Sequence, residues 1–334
     1  MEEKAPSLEE SMLSWLETAK KPELKPSSFM RLYNTVTKQI IPRIGSCSIS
    51  DLTVPYIEES LIMAMVREGQ SQSSVKKAKS ALKSFYQYYL IHAGRYTETN
   101  FMTYIHVPNA TAFGGEKHIG YLTDSESLAF LKACKLDNTV QADALSFMLN
   151  TGLRVGECVA LKWKDLDSSN HLLTIRRNAL PVVDIDVLTG KRTKEKIHIQ
   201  EMPKTMSGFR TIPLNTFCTD LLHARYKQLN PSNGEQLIFP SLSGTVLWVY
   251  NLRRSANRIM NELSIPREKH GLHILRHTYA TALFAQGIDL KTVSYLLGHS
   301  SIQVTADNYI HITESFRYEI EERKFRPYPE RFIK

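Results

Sequence analysis

The chain has 334 residues (38.2 kDa), 42% of them hydrophobic, with a net charge of +8 and a pI of about 9.1. That length can bury two ordinary cores. The four cysteines (Cys47, Cys134, Cys158, Cys218) form no CxxC pair, which argues against a zinc module or a disulfide framework. The acidic opening MEEKAPSLEE is no signal peptide, and no apolar run approaches the roughly 20 residues that span a bilayer. A cytoplasmic protein without membrane contact is expected, and its basic balance admits nucleic acid as a partner without requiring it.

Residues 7–105 read as helices. SLEESMLSWLETAKK places apolar residues at 8, 12, 13, 15 and 16, and SSFMRLYNTVTKQIIPRIG ends in a Pro and Gly stop. VPYIEESLIMAMVREG opens with Pro55 near the first helical position and closes at Gly69. SSVKKAKSALKSFYQYYLIHAG sets Lys76, Lys79 and Lys83 on one face, as a solvated face or a DNA-facing one would. VPNATAFGGEKHIGY, 107–121, breaks the pattern with Pro, Gly and few large side chains, and reads as a linker.

A second domain opens at Thr123 and Glu126, which form a capping box ahead of an apolar-periodic helix. VQADALSFMLNTG makes another helix. Strands follow between about 171 and 214, in HLLTIRR, KEKIHIQEM and FRTIPL. Helices are expected at 215–229, 246–263, 272–286, 289–297 and 302–310, ahead of a charged tail. The stretch 178–200 is long for a β-turn region and reads as an extended hairpin or an ordinary surface one.

Chemistry concentrates in four short segments. In LHILRHTYA, His273, Arg276 and His277 share one helix face. Two histidines at i and i+4 suggest zinc, but the residue after the first is Ile274 rather than the Glu such a site uses on water, and Arg276 would set a cation beside the metal. A pair of satisfied histidines with a surface arginine is the bland alternative. An anion site is the third: a guanidinium offers a planar fork matched to phosphate, and a neighbouring His can donate a hydrogen bond or a proton. LNTGLRVGECVALKW puts Arg154 at a helix start, where a cation sits badly with the helix dipole unless an anion occupies the gap; Glu157 stands three residues on. MPKTMSGFRTIPL places Lys204 in a Ser-Gly turn between strands. YLLGHSSIQVTADNYIH supplies His299 and Tyr309.

Taken in order, TGLRVGE, HILRHTYAT, LLGHSS and TADNYIH resemble the tyrosine recombinases of the phage integrase family, sharply over 122–311 and less so over the helical first domain. The resemblance implies a mainly α fold with a small antiparallel β-sheet in the catalytic domain, arranged as a two-domain C-shaped clamp on DNA. It implies a core-binding domain at 1–106, a linker at 107–121, a catalytic domain at 122–313 and a tail at 314–334 for subunit docking. Arg154, Lys204, His273, Arg276, His299 and the nucleophile Tyr309 match catalytic positions, and Glu157 and His277 match supporting ones. The implied reaction cuts and rejoins DNA through a 3′-phosphotyrosine, with no cofactor and no metal.

The implied partner is double-stranded DNA at attachment or recombination sites, bound by a tetramer, with an excisionase or DNA-bending protein as a further candidate. On WVYNLRRSANRIMNEL, Arg253, Arg254, Asn257 and Arg258 fit a major-groove helix or a solvated face. The hairpin at 178–200 resembles the extension common in integrases of conjugative transposons. A mobile-element integrase of a bacterial cytoplasm is the expectation. Xer-type multimer resolution, a type IB topoisomerase and a catalytically dead DNA-binding regulator are the alternatives. The chain starts almost directly on the core-binding helices, unlike relatives that carry an arm-binding domain first.

Overall fold

In the computed structural model, the described residues are 6–113, 120–193, 195–202 and 208–306. The chain divides into two compact units, one from Met1–His118 with Pro181–Lys196, the other from Ile119–Leu180 with Ile197–Lys334.

The first unit is built on helical runs over 8–23, 26–44 and 54–67 and the helix Gln72–His92. Ser7 and Glu10 cap the first reciprocally, Ser7 N–H donating to Glu10 Oε2 (2.8 Å) and Glu10 N–H to Ser7 Oγ (3.2 Å). Two of these runs contain an internal proline, Pro22 and Pro42, which has no N–H and crowds the turn before it. The backbone answers with a wide turn just ahead of each: Lys21 N–H reaches back to Leu16 O, and Ile41 N–H to Val36 O. Apolar faces converge on Trp15, Ile40, Leu61, Leu82 and Phe85, with the Trp15 and Phe85 rings edge to face at 5.7 Å.

Two differences from the sequence expectation concern this unit. The stretch expected to be linker is partly packed: Val107 and Phe113 lie against the core, and Gln72 Nε2 donates to Pro108 O (2.9 Å). Residues 181–196 belong to the first unit, although the sequence suggested one unbroken second domain from 122. Ile185 and Val187, each 2% exposed, are members of its core, and Arg192 Nη2 donates to Asn34 Oδ1 (3.1 Å). A tight turn presents them: Asp186 accepts from Thr189 N–H at Oδ1 (2.8 Å) and from Gly190 N–H at its carbonyl (2.9 Å).

In the second unit Thr123 and Glu126 form the expected capping box at the start of Asp124–Asp137. Val140–Thr151 is buried on nearly every side, so it forms the centre of the core with Phe130, Leu145, Phe147, Leu275 and Phe239 around it. Leu166–Asp167, Leu172–Ile175 and Arg210–Pro213 make a three-stranded antiparallel sheet, with Ile175 opposite Arg210 and Leu173 opposite Ile212. Arg177–Val182 pairs with Lys196–Glu201 as a separate ribbon. Helices Thr216–Leu229, Val249–Glu262, Leu272–Ala285 and Leu290–Leu297 follow, within a few residues of the sequence reading. Residues 302–306 are helical. Among the described residues, no helix is long and apolar enough to cross a membrane.

Candidate active site

The site is assembled where four helix ends meet. Val140–Thr151 stops at Gly152, which takes φ +64°. A Cβ there would stand 2.3 Å from the Tyr279 ring, so glycine is needed for space as well as for conformation. Arg154 then begins Val155–Val159, whose third residue, Glu157, turns back: its Oε2 accepts the Arg154 N–H (3.0 Å) and its Oε1 the Arg154 Nη1 (2.8 Å). The cation at this helix start is thus held by a carboxylate of the first turn, which also suits the dipole. Arg154 reaches further to the end of Leu290–Leu297, donating from Nη2 to Gly298 O (2.8 Å), and its side chain stays 38% exposed while that of Glu157 is 2% exposed.

Leu272–Ala285 begins at Gly271, so His273, Arg276 and His277 fall in its first turns. Arg276 is buried and donates from Nη1 to Gly152 O (2.8 Å), which ties the two arginine segments together. His299 follows the Gly298 stop, and its Nδ1 lies 2.6 Å from the hydroxyl of Thr305, a fully buried residue of 302–306.

The electrostatics show that these groups share one neighbourhood. Burial, then Arg276, Arg154, Arg210 and His277, push the His299 imidazolium down to about 4. Burial, then His273 and Arg276, bring His277 to about 4. His273 is lowered by burial, Arg276, Arg253 and Arg154. Three histidines are therefore kept neutral, first by burial and then by the guanidinium charge around them. Burial alone would raise the Glu157 carboxyl, but Arg210 and Arg154 outweigh it and hold it ionised. Among the described residues no three His, Cys, Asp or Glu are grouped to hold a metal, and His273 and His277 face cations instead.

Of the residues read from sequence, Arg154, Glu157, His273, Arg276, His277 and His299 are thus brought together. Lys204 and Tyr309 lie outside the described residues; the helical residues 302–306 run toward Tyr309 in the chain. The DNA-contact candidates divide. Arg253 and Arg254 are exposed on Val249–Glu262, and Arg253 is near enough to affect His273. Arg258 is paired with Asp137 (2.5 Å) and Glu262 (3.0 Å), and Asn257 keeps its Oδ1 buried. Lys76 and Lys83 are exposed, whereas Lys79 donates to Ile105 O.

The sequence reading missed Arg210. Its side chain is fully buried (0% exposed) and forms a forked pair with Glu157, Nη1 to Oε1 at 3.2 Å and Nη2 to Oε2 at 3.0 Å. It also missed Thr305 and the buried pair of Arg177 with Asp165. In sequence each is an ordinary strand or helix residue, and only the fold supplies its partner.

Comparison with known proteins places the chain. Residues 120–315 match the phage integrase family, and residues 7–65 match the phage integrase N-terminal SAM-like domain. The first match spans more than half the chain, which belongs to the phage integrase family: it is a tyrosine recombinase, an enzyme that cuts and rejoins DNA. It is similar to a tyrosine recombinase XerC-like protein of Caldanaerobacter subterraneus subsp. tengcongensis, 28% identical over 92% of this chain and 79% of the relative. It is also similar to tyrosine recombinase XerC of Oceanobacillus iheyensis, 29% identical over 78% of this chain and 77% of that one. In fold it resembles the Tn1549 transposon integrase in complex with transposon right end DNA, with a TM-score of 0.70 at 22% identity over 95% of this chain and 99% of that chain. The lambda integrase tetramer bound to a Holliday junction gives a TM-score of 0.62 at 18% identity, over 89% and 78%.

Proposed function

We propose that this recombinase is the integrase of a mobile element, and that it excises and inserts that element at attachment sites on double-stranded DNA through Tyr309. The observation that carries the catalytic assignment is the meeting of Arg154, Arg276 and three neutral histidines at the helix ends described above. A phosphodiester seated there meets two guanidinium forks, which offset the charge that develops on its non-bridging oxygens. The Tyr309 oxygen attacks phosphorus, the P–O5′ bond breaks, and the leaving oxygen takes a proton from the Lys204 ammonium. The phenol, with an ordinary pKa near 10, gives its proton to a neutral imidazole, and His273 is one kept below its usual value. The bond energy is retained in the 3′-phosphotyrosine, so a partner 5′-hydroxyl reverses the step without ATP.

Two features favour a mobile element: the long ribbon Arg177–Val182 with Lys196–Glu201, and the fold likeness to a transposon integrase. Exposed Arg253 and Arg254, with Lys76 and Lys83, supply cations for the DNA backbone or groove. The tail 314–334, which mixes charge with Phe316, Tyr318, Ile320, Phe325 and Tyr328, docks on a neighbouring subunit of a tetramer. An excisionase or DNA-bending protein is the accessory partner expected of such an element, in a bacterial cytoplasm. The similar XerC proteins favour a second reading, resolution of chromosome or plasmid multimers.

The test is incubation with duplexes carrying the DNA that flanks the gene, both as separate ends and joined, followed by a denaturing gel. A covalent protein–DNA adduct that forms in excess EDTA and is absent with Tyr309→Phe is expected. An adduct that persists in the Phe variant overturns the assignment of Tyr309. Turnover confined to one chromosomal or plasmid resolution site, with none at element ends, replaces the integrase reading by the second.

A further inference from the structure

The geometry assigns to Arg210 a positioning role in DNA cleavage: it takes up the Glu157 carboxylate and fixes the end of Leu290–Leu297, so that Arg154 meets the phosphate with its positive charge uncancelled. This rests on the catalytic assignment proposed above for Arg154 and His299.

Arg210 is fully buried, so it cannot touch DNA itself. Its donors are nevertheless almost all engaged. Besides the forked pair with Glu157, Nε donates to Leu296 O (2.7 Å) and Nη1 to Gly208 O (3.1 Å). The guanidinium lies flat against Gly298: a Cβ there would stand 2.7 Å from Nη1 and 2.9 Å from Cζ. The glycine of the LLGH segment therefore has two reasons, its φ of +68° and the guanidinium above it. Three successive carbonyls at the helix end are shared out, Leu296 to Arg210, and Leu297 (3.4 Å) and Gly298 (2.8 Å) to Arg154. The two arginines thus grip one helix terminus from two sides, directly before His299.

The charge count gives this arrangement its consequence. One carboxylate faces two guanidinium groups. The buried Arg210 requires a counter-charge, since an unpaired buried cation is costly, and Glu157 supplies it through both oxygens. Arg154 shares the same carboxylate, Nη1 to Oε1 at 2.8 Å, and its side chain stays 38% exposed. Without Arg210, Glu157 would belong to Arg154 alone; the pair would be neutral, and an incoming phosphate would compete with a carboxylate for the same fork. Arg210 also follows Lys204 closely in the chain, and it donates to Gly208 O between them.

The experiment compares the full chain as wild type, Arg210→Met, Arg210→Lys and the charge-balanced double variant Arg210→Met/Glu157→Gln. Three quantities are measured: adduct formation on the duplex that wild type cleaves, with Tyr309→Phe as blank; affinity for the same duplex; and the titration of His299 by NMR with ¹³C-labelled histidine. The groups around His299 are Arg276, Arg154, Arg210 and His277. Arg210→Met should slow cleavage on the order of 10²-fold, as loss of a preorganised donor does, with affinity changed only a few-fold. It should raise the His299 titration midpoint, because one net positive charge has gone. Arg210→Lys should not rescue, since an ammonium cannot fork to the carboxylate and reach Leu296 O together. The double variant should recover about tenfold of the lost rate and return His299 toward its wild-type midpoint.

A purely structural role would lower melting temperature, affinity and rate together; that pattern overturns the proposal. So does a double variant no faster than Arg210→Met. If Arg210→Met fails to fold, the double variant, which buries no unpaired charge, decides alone: cleavage within roughly tenfold of wild type supports the proposal, and folded protein without cleavage sinks it. If Tyr309→Phe still forms the adduct, the site assignment fails separately, and the His299 titration still reports on Arg210.

Discussion

Thr305 and His299 are joined by a 2.6 Å contact between Oγ1 and Nδ1, with Thr305 fully buried. The hydroxyl belongs to the helical residues 302–306 that precede Tyr309 in sequence, so the histidine ring is held by the segment leading to the proposed nucleophile. With the hydroxyl donating to Nδ1, the ring carries its proton on Nε2, the tautomer able to donate to a phosphate oxygen.

Thr305→Val keeps the shape and removes that bond. It should leave the melting temperature within a few degrees and slow adduct formation by roughly tenfold, the order of one lost hydrogen bond of about 1–1.5 kcal/mol. Thr305→Ser should restore most of the rate. A Val variant as fast as wild type would show that Thr305 serves packing alone.

The two arginines and the lysine should separate by substrate. Arg154→Ala or Arg276→Ala removes a clamp on the phosphate, with a loss on the order of 10²-fold or more, and Arg→Lys at either position should not rescue it. Lys204→Ala should impair departure of the 5′-oxygen. A bridging 5′-phosphorothiolate has a leaving group that needs no proton, so it should rescue Lys204→Ala and leave the arginine variants slow. Equal rescue of all three would remove Lys204 from the role of acid.

The pH dependence of stability follows from the neutral histidines. His277 and His299 titrate at about 4 in the fold, below the ordinary 6.5 of the unfolded chain, and His273 is lowered as well. Between about pH 6.5 and 4 the unfolded chain therefore binds more protons than the folded one. Their contribution to stability is complete above pH 6.5 and is lost as pH falls toward 4. Urea midpoints should drop over that window in wild type. His299→Gln should weaken the drop, and an unchanged slope in that variant would show that His299 is not held neutral.

The 181–196 segment should act as part of the first unit's core. Ile185→Ala, at 2% exposure, should cost about 2–4 kcal/mol in that unit, and Val187→Ala somewhat less. Hydrogen exchange is the measurement that resolves where the loss falls. Faster exchange should appear in Gln72–His92 and the other first-unit helices, with Val140–Thr151 little changed. Destabilisation confined to the second unit would contradict the shared core.

Most helix positions were legible from the sequence, since their signals are short-range. The Thr123 and Glu126 box, the stops at Gly152 and Gly298 and the apolar periods of Val140–Thr151 each lie within a turn or two of the bonds they form. The stretch 107–121 read as a linker on its Pro, its Gly and its few large side chains, a local signal that could not show Val107 and Phe113 packing against the first unit's core. The even lysine and arginine stripes also looked uniform, yet Lys79 and Arg258 are engaged by groups that no helix period can reveal.

The sequence by itself determined which residue types stand at the helix ends, and so the reaction class, because TGLRVGE, HILRHTYAT and LLGHSS carry arginines, histidines and glycines at fixed local spacing. Tertiary structure decided what those residues meet. Arg210 finds Glu157 across 53 positions and Leu296 across 86, and the tip of 181–196 buries Ile185 and Val187 in a core whose other members precede it by most of a domain. Periodicity and capping act through bonds a few residues long. Pairing of a buried charge, or membership of a core, depends on which surfaces the folded chain brings together, and no local spacing records that.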